Sequence, residues 1–197
     1  ISKDIFSSPS VADDGSINLV VRDLQSTGGN RNLFVICVNP DGTKHAIYYG
    51  NNTASPGAVL DGRQIPNTDW VICVFSSCHE RPWGALAIID RKKGVDNADA
   101  LVDIWPKEMA KYVGNGDLDT FKSSEYFYED PYPIDENNYL VSRTIWIKRV
   151  KGKLFDAKSG IYLIGRDGTE EILLEGQESL FDPMIIAARP KPNVIPT

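Results

Sequence analysis

The sequence predicts an all-β protein, a β-propeller segment built of blades of four antiparallel strands, and three observations carry the prediction. The stretch Asp130–Leu174, DPYPIDENNYLVSRTIWIKRVKGKLFDAKSGIYLIGRDGTEEILL, holds four short strand-like runs separated by turns, and the same unit occurs twice upstream. Repeats of roughly 40–50 residues with four strands each are the signature of propeller blades. The turns carry Asp-Gly and Asn-Pro-Asp-Gly, which supply the positive φ and the Asx hydrogen bonds that tight hairpins need. Finally, the unbroken apolar runs LFVICV and WVICVF suit strands covered on both faces, as blade-on-blade packing requires. A β-sandwich also has short, regularly spaced strands, but the matched proline openings of the units favour the propeller.

In chain order, the first blade, about 8–50, opens at Ser8-Pro9 and turns at Asp13–Ser16. It continues through strands Ile17–Arg22, Leu33–Val38 and His45–Tyr49, with Asn39–Gly42 as its last turn. The second, about 55–105, opens at Ser55-Pro56, turns at Asp61-Gly62 and carries Trp70–Phe75, Trp83–Asp90 and Ala100–Trp105. An insertion follows at 106–124. Pro106 starts a short helix through Tyr112, Gly114-Asn115-Gly116 stops it, and Asp117–Ser124 reads as loop. The third blade, about 130–175, has strands at Tyr139–Ile147, Gly160–Gly165 and Glu171–Leu174, with tight turns at Asp135–Asn138 and Arg166–Gly168. Phe181-Asp182-Pro183 repeats its opening. The propeller segment thus covers 1–188, and the tail 189–197, too rich in proline for a sheet ladder, reads as an exit linker. Val71, Cys73, Phe75, Leu33, Val35, Leu140, Ile161 and Leu163 are the expected core.

A net charge of −6 and a pI near 5.0 exclude the basic stripe that nucleic acid or an acidic membrane surface would need. No run of 18 apolar residues exists to span a bilayer. The chain opens at Ile1 without an initiator Met or signal peptide, which predicts a piece of a longer protein.

Tight turns fall on one face of the blades and long connections on the other: Asp23–Arg31, Ser76–Pro82, Lys148–Ser159 and Pro106–Ser124. A binding site on loops is therefore expected on the long-loop face, where His79, Arg81 and Trp83 are the candidate residues. No catalytic residue, cofactor or metal ligand set is assigned. Cys73-Val-Phe-Ser-Ser-Cys78-His79 is a C-x4-C-H relative of the C-x-x-C-H haem-attachment motif, but its first thiol falls inside an expected buried strand. Cys37, Cys73 and Cys78 read as reduced thiols. A Cys73–Cys78 bridge would need the strand to end between them. Phe121, Tyr126, Phe127, Tyr128 and Tyr132 read as interblade packing. Glu125, Glu129, Asp130, Asp135 and Glu136 lack the spacing of a calcium loop and read as a solvated edge.

Two strings, Ser76-Ser-Cys-His-Glu-Arg-Pro-Trp-Gly84 followed by Ala85–Asp90, and Phe181-Asp-Pro-Met running on to Arg189-Pro-Lys-Pro-Asn-Val-Ile-Pro196, resemble the hydrazine synthase alpha-subunit-like proteins. In that family a propeller of TolB-like blades precedes domains that carry c-type haem. The resemblance implies a large extracytoplasmic bacterial protein, periplasmic or at the cell surface, and makes the tail the family's exit from the propeller. The C-x-x-C-H strings of the family are absent here, so no catalytic position carries over.

The leading expectation is a non-catalytic scaffold or interaction segment whose partners are the remaining blades or domains of its parent. The alternative is part of a c-type-haem redox enzyme, with haem domains outside this chain. Closed propellers have about 4–8 blades, so three units predict half of a six-bladed ring with uncovered end faces, through which the isolated segment would form a homodimer unless its own insertion and tail cover them.

Overall fold

The computed structural model describes residues 5–22, 33–79, 83–123, 127–150, 153–176, 178–188 and Lys191; for Ile5, Phe6, Arg22, Leu33, Ser123, 145–150 and 153–157 only the backbone is described. The chain forms three four-stranded antiparallel sheets. The first contains β1 (Ile5–Val11), β2 (Ile17–Arg22), β3 (Leu33–Val38) and β4 (Ala46–Tyr49). The second contains β5 (Ala58–Gln64), β6 (Trp70–Ser76), β7 (Ala85–Asp90) and β8 (Leu101–Trp105). The third contains β9 (Tyr128–Pro133), β10 (Asn138–Val150), β11 (Lys153–Gly165) and β12 (Glu170–Gly176). A single parallel pair, Leu33 with Ala58, joins the first sheet to the second. Among the described residues the sheets do not close into a ring.

Three hairpins use the same turn. Asp14-Gly15-Ser16, Asp41-Gly42-Thr43 and Asp167-Gly168-Thr169 each place glycine at positive φ, +87°, +82° and +91°. In each, the aspartate Oδ1 accepts both the backbone N–H and the hydroxyl of the Ser or Thr two residues on. Glycine reaches that backbone conformation at no steric cost and the Asx bond closes the loop.

Alternation of side chains then decides the layers. In the second sheet, Val71, Cys73, Phe75, Ala85, Ala87 and Ile89 face one way and join Val20, Val35 and Tyr49 of the first sheet in one core. Ile72, Leu86, Ile88 and Trp105 face the other way, onto Tyr128, Tyr139, Val141, Tyr162 and Ile164 of the third. The middle sheet is thus buried on both faces, as its unbroken apolar runs predicted. Val35, Val71, Cys73, Phe75 and Leu140 are buried as expected. Ile161 and Leu163 are only half-buried, because they face away from the middle sheet and no further sheet among the described residues covers them. The side chain of Leu33 lies outside the described residues.

Three expectations need correction. Asp61-Gly62 is not a turn: it lies inside β5, and the hairpin turns instead at Ile65–Asp69, closed by the Ile65 N–H on the Trp70 carbonyl at 2.9 Å. Ser55-Pro56 is not the opening equivalent to Ser8-Pro9. It precedes β5, and the Ser55 carbonyl accepts the Gly114 N–H of the insertion at 2.7 Å. Lys148–Ser159 is not a long loop, since β10 and β11 stay paired from Asn138–Gly165 out to Val150–Lys153; lysine, arginine and serine are tolerated in a ladder made by backbone groups. The β7–β8 connection is long, unlike the tight turns at this end of the other sheets. It runs through 91–100 and packs on the chain after β4, with the Val95 carbonyl taking the Gly50 N–H and Asp96 taking Asn52 N–H and the Thr53 hydroxyl.

The insertion forms two 3-10 helices, Lys107–Tyr112 and Thr120–Ser123, the second within the stretch expected as loop. Met109, Val113 and Phe121 plug the core between the first two sheets at the end opposite the tight turns, Phe121 meeting Phe75 edge-on at 5.8 Å.

Candidate functional site

The long-loop candidates are held by the insertion. Beyond β6, the Cys78 N–H bonds to the Leu118 carbonyl at 2.9 Å. His79 places Nδ1 3.1 Å from Asp119 Oδ2, and both side chains are well exposed. This pair fixes the His79 ring against the insertion.

Trp83 is buried, stacked edge-on against Phe127 at 5.0 Å, while its carbonyl accepts the Ser76 hydroxyl at 2.6 Å. The indole therefore packs between the second and third sheets and offers no ligand platform beside His79. Arg81 lies outside the described residues.

Gly84, next to Trp83, makes reciprocal backbone bonds with Tyr128 at 3.1 Å, stitching the second sheet to the third. A Cβ there would stand 2.0 Å from the Phe75 carbonyl oxygen, so only glycine fits.

The C-x4-C-H string is divided by the fold. Cys73 is fully buried within β6, its thiol 3.7 Å from the Ala87 carbonyl and pushed far up in pKa by burial. Cys78 and His79 are on the loop beyond. All three cysteines are free thiols. Among the described residues no group of three His, Cys, Asp or Glu side chains is placed to hold a metal ion. Of the aromatic group, Phe121 and Tyr128 are core residues and Tyr132 lies under the Arg63 guanidinium at 5.8 Å. Tyr126 and Glu125 lie outside the described residues.

A feature missed in the sequence runs along the first strands of the sheets. β1 and β9 both pack against β5. Each of the three carries one residue at positive φ beside a register shift: Ser8 at 49°, Asp61 at 53° and Asp130 at 49°. Asp182 repeats the conformation at 48°. The four converge. The Ser8 hydroxyl bonds Asp61, Ser10 Oγ donates to the Gly62 carbonyl at 2.7 Å, and Asp130 Oδ2 accepts the Asp182 N–H at 3.2 Å. Arg63 lies 3.6 Å from the Asp182 carboxylate.

Burial raises the pKa of both Asp61 and Asp130. The neighbouring carboxylates add to the effect, and Arg63 opposes it. The residues at these positions, Ser8-Pro9, Asp61-Gly62, Asp130-Pro131 and Asp182-Pro183, are the signal that could have revealed the row. In the second unit glycine replaces proline, which hid the match behind the reading of Asp-Gly as a turn.

No family model matches the chain, and neither a curated protein nor a solved structure does.

Proposed function

We propose that the three sheets are blades of a β-propeller, and that this chain is a non-catalytic scaffold or interaction segment of a larger extracytoplasmic bacterial protein like the hydrazine synthase alpha-subunit-like proteins. The partners are the remaining blades of the ring; any c-type haem belongs to domains outside these residues. One observation carries the reading: the inner-strand residue recurs a fourth time at Asp182, seated on Asp130 and Arg63, and the apolar stretch it starts pairs with no strand among the described residues. Phe181, Met184 and Ile186 are more than half exposed there, as are Ile172 and Leu174 on β12. Apolar side chains clustered in this way mark a surface that another element covers. The occupant that fits is a further antiparallel sheet. Its edge would pair with 183–188, and its apolar face would cover Ile161, Leu163 and Leu174.

Anilinonaphthalene sulfonate fluorescence tests the surface. The native chain is expected to bind the dye, and Leu174→Lys with Ile186→Lys is expected to abolish binding without lowering Tm, since neither side chain is buried. A native chain that binds no dye contradicts the reading.

A further inference from the structure

The face that the first sheet turns toward the second is apolar in its middle and polar at the tight-turn end. Val20 and Val35 are buried in the shared core, and two residues along each strand stand Asn18 and Cys37, direct partners across β2 and β3. The second sheet becomes polar at the same end, through Gln64, Asp69 and Arg91. Where both faces turn polar the sheets part, leaving a cleft of about 450 Å³. That volume lies in the range of small-molecule sites.

Most polar groups of the cleft satisfy one another. Gln64 accepts the Asp13 N–H and donates to the Thr68 carbonyl, both at 2.6 Å. Asp13 Oδ2 takes the Asn67 N–H at 3.0 Å, Asp69 pairs with Lys92, and the Tyr48 hydroxyl donates to the Asp69 carbonyl at 2.7 Å. Asp14 is committed to its own turn.

Two groups are left over. Asn18 is 2% exposed and lines the cleft, yet among the described residues its side-chain amide has no hydrogen-bond partner. Its amide faces the cleft, where a ligand could pair with it. Arg91 is the second. Its guanidinium is held over the Tyr48 ring at 5.9 Å with Nη1 3.1 Å from Cys37 Sγ, and no carboxylate among the described residues pairs with it. Cys37 is Asn18's cross-strand partner, so the free cation and the free amide are neighbours.

We infer that this cleft binds a small organic carboxylate bearing a hydroxyl or amide group, Arg91 taking the carboxylate and Asn18 the adjoining group. A planar guanidinium pairs a carboxylate through two parallel N–H bonds. The amide, offering both a donor and an acceptor, selects a group that does both. An inorganic anion would leave most of the volume empty and would meet one cation only, because Lys92 is neutralised by Asp69. A cation is disfavoured, since Asp13 and Asp14 already serve the turns. The inference is independent of the propeller reading, because the cleft is complete within the first two sheets.

Cys37 reports occupancy directly. Its alkylation, mapped by mass spectrometry on the 197-residue chain, is measured with glycolate, lactate, tartrate and N-acetylglycine, using acetate and sulfate as controls. At least one of the four is expected to slow Cys37 modification about tenfold at ten times its Kd, leaving Cys78 unaffected. Arg91→Gln and, separately, Asn18→Leu are expected to abolish the protection. Should Arg91→Gln fold poorly, Asn18→Leu decides alone. The inference is overturned if none of the four protects Cys37, if acetate or sulfate protects equally well, or if protection survives Asn18→Leu.

Discussion

Asp61 sits where a carboxylate is disfavoured: burial raises its pKa above the ordinary 3.8, with only Ser8 and Arg63 opposing. A raised carboxyl pKa binds an extra proton in the folded state. Stability is therefore present below 3.8 and is lost as pH climbs through the folded pKa. Above that pKa the penalty is full, so Asp61→Asn, which tolerates the positive φ, should be more stable than the parent at pH 7. The difference should shrink to nothing as pH falls below 3.8, which thermal melts across that range would check; a gain that persists at low pH would refute the linkage.

Asp167 behaves in the opposite sense. Its backbone and hydroxyl bonds from Thr169 lower the pKa, so its contribution is present above 3.8 and disappears as pH falls through the folded value. Thr169→Val should move the Asp167 pKa, followed by NMR, back toward 3.8. Gly84→Ala should cost about 1–3 kcal/mol or more as overpacking, since the added carbon meets a backbone oxygen 2.0 Å away. An unchanged Tm would mean that the contact between the second and third sheets is not as close as described.

Strands and turns were legible wherever one signal had one meaning. Asp-Gly followed by Ser or Thr marked three hairpins correctly, because the downstream hydroxyl completes the Asx turn. Asp61-Gly62 lacks that hydroxyl, Arg63 standing there instead, and the same dipeptide serves as a left-handed step inside a strand. The charged outer half of the β10–β11 hairpin read as loop because composition cannot reveal a ladder made by main-chain bonds.

The Asn18–Arg91 cleft was illegible for another reason: its free groups come from different sheets, and neither stands in a motif. The Cys73–His79 string shows how an element overrides a motif, since the strand buries the first thiol and releases only the second. Cys78 should therefore react with alkylating agents in the native chain and Cys73 only on unfolding. Equal rates would place β6 wrongly. A covalently attached Soret band surviving denaturation would contradict the division of the string.

At the scale of the molecule, the second sheet is covered on both faces and the third on one. That asymmetry follows from the sequence's repetition: each sheet offers two apolar faces, and among the described residues no sheet lies beyond the third. On the first sheet, Val21, Phe34 and Ile36 of the outward face are buried. Of the large exposed apolar side chains among the described residues, Val11 and Val95 stand apart and the rest gather on β12 and residues 181–186. Among the described residues the largest uncovered apolar cluster is thus at the third-sheet end.

Covering each such leucine or isoleucine is worth about 1.5–3 kcal/mol, enough to drive association of the isolated chain. Light scattering on the purified 197-residue chain over a range of concentrations tests this most directly. The account predicts a mass that rises with concentration from 21.8 kDa toward twice that value, and that stays at the monomer when Leu174 and Ile186 are both changed to Lys. A parent chain that stays at 21.8 kDa at every concentration would contradict it.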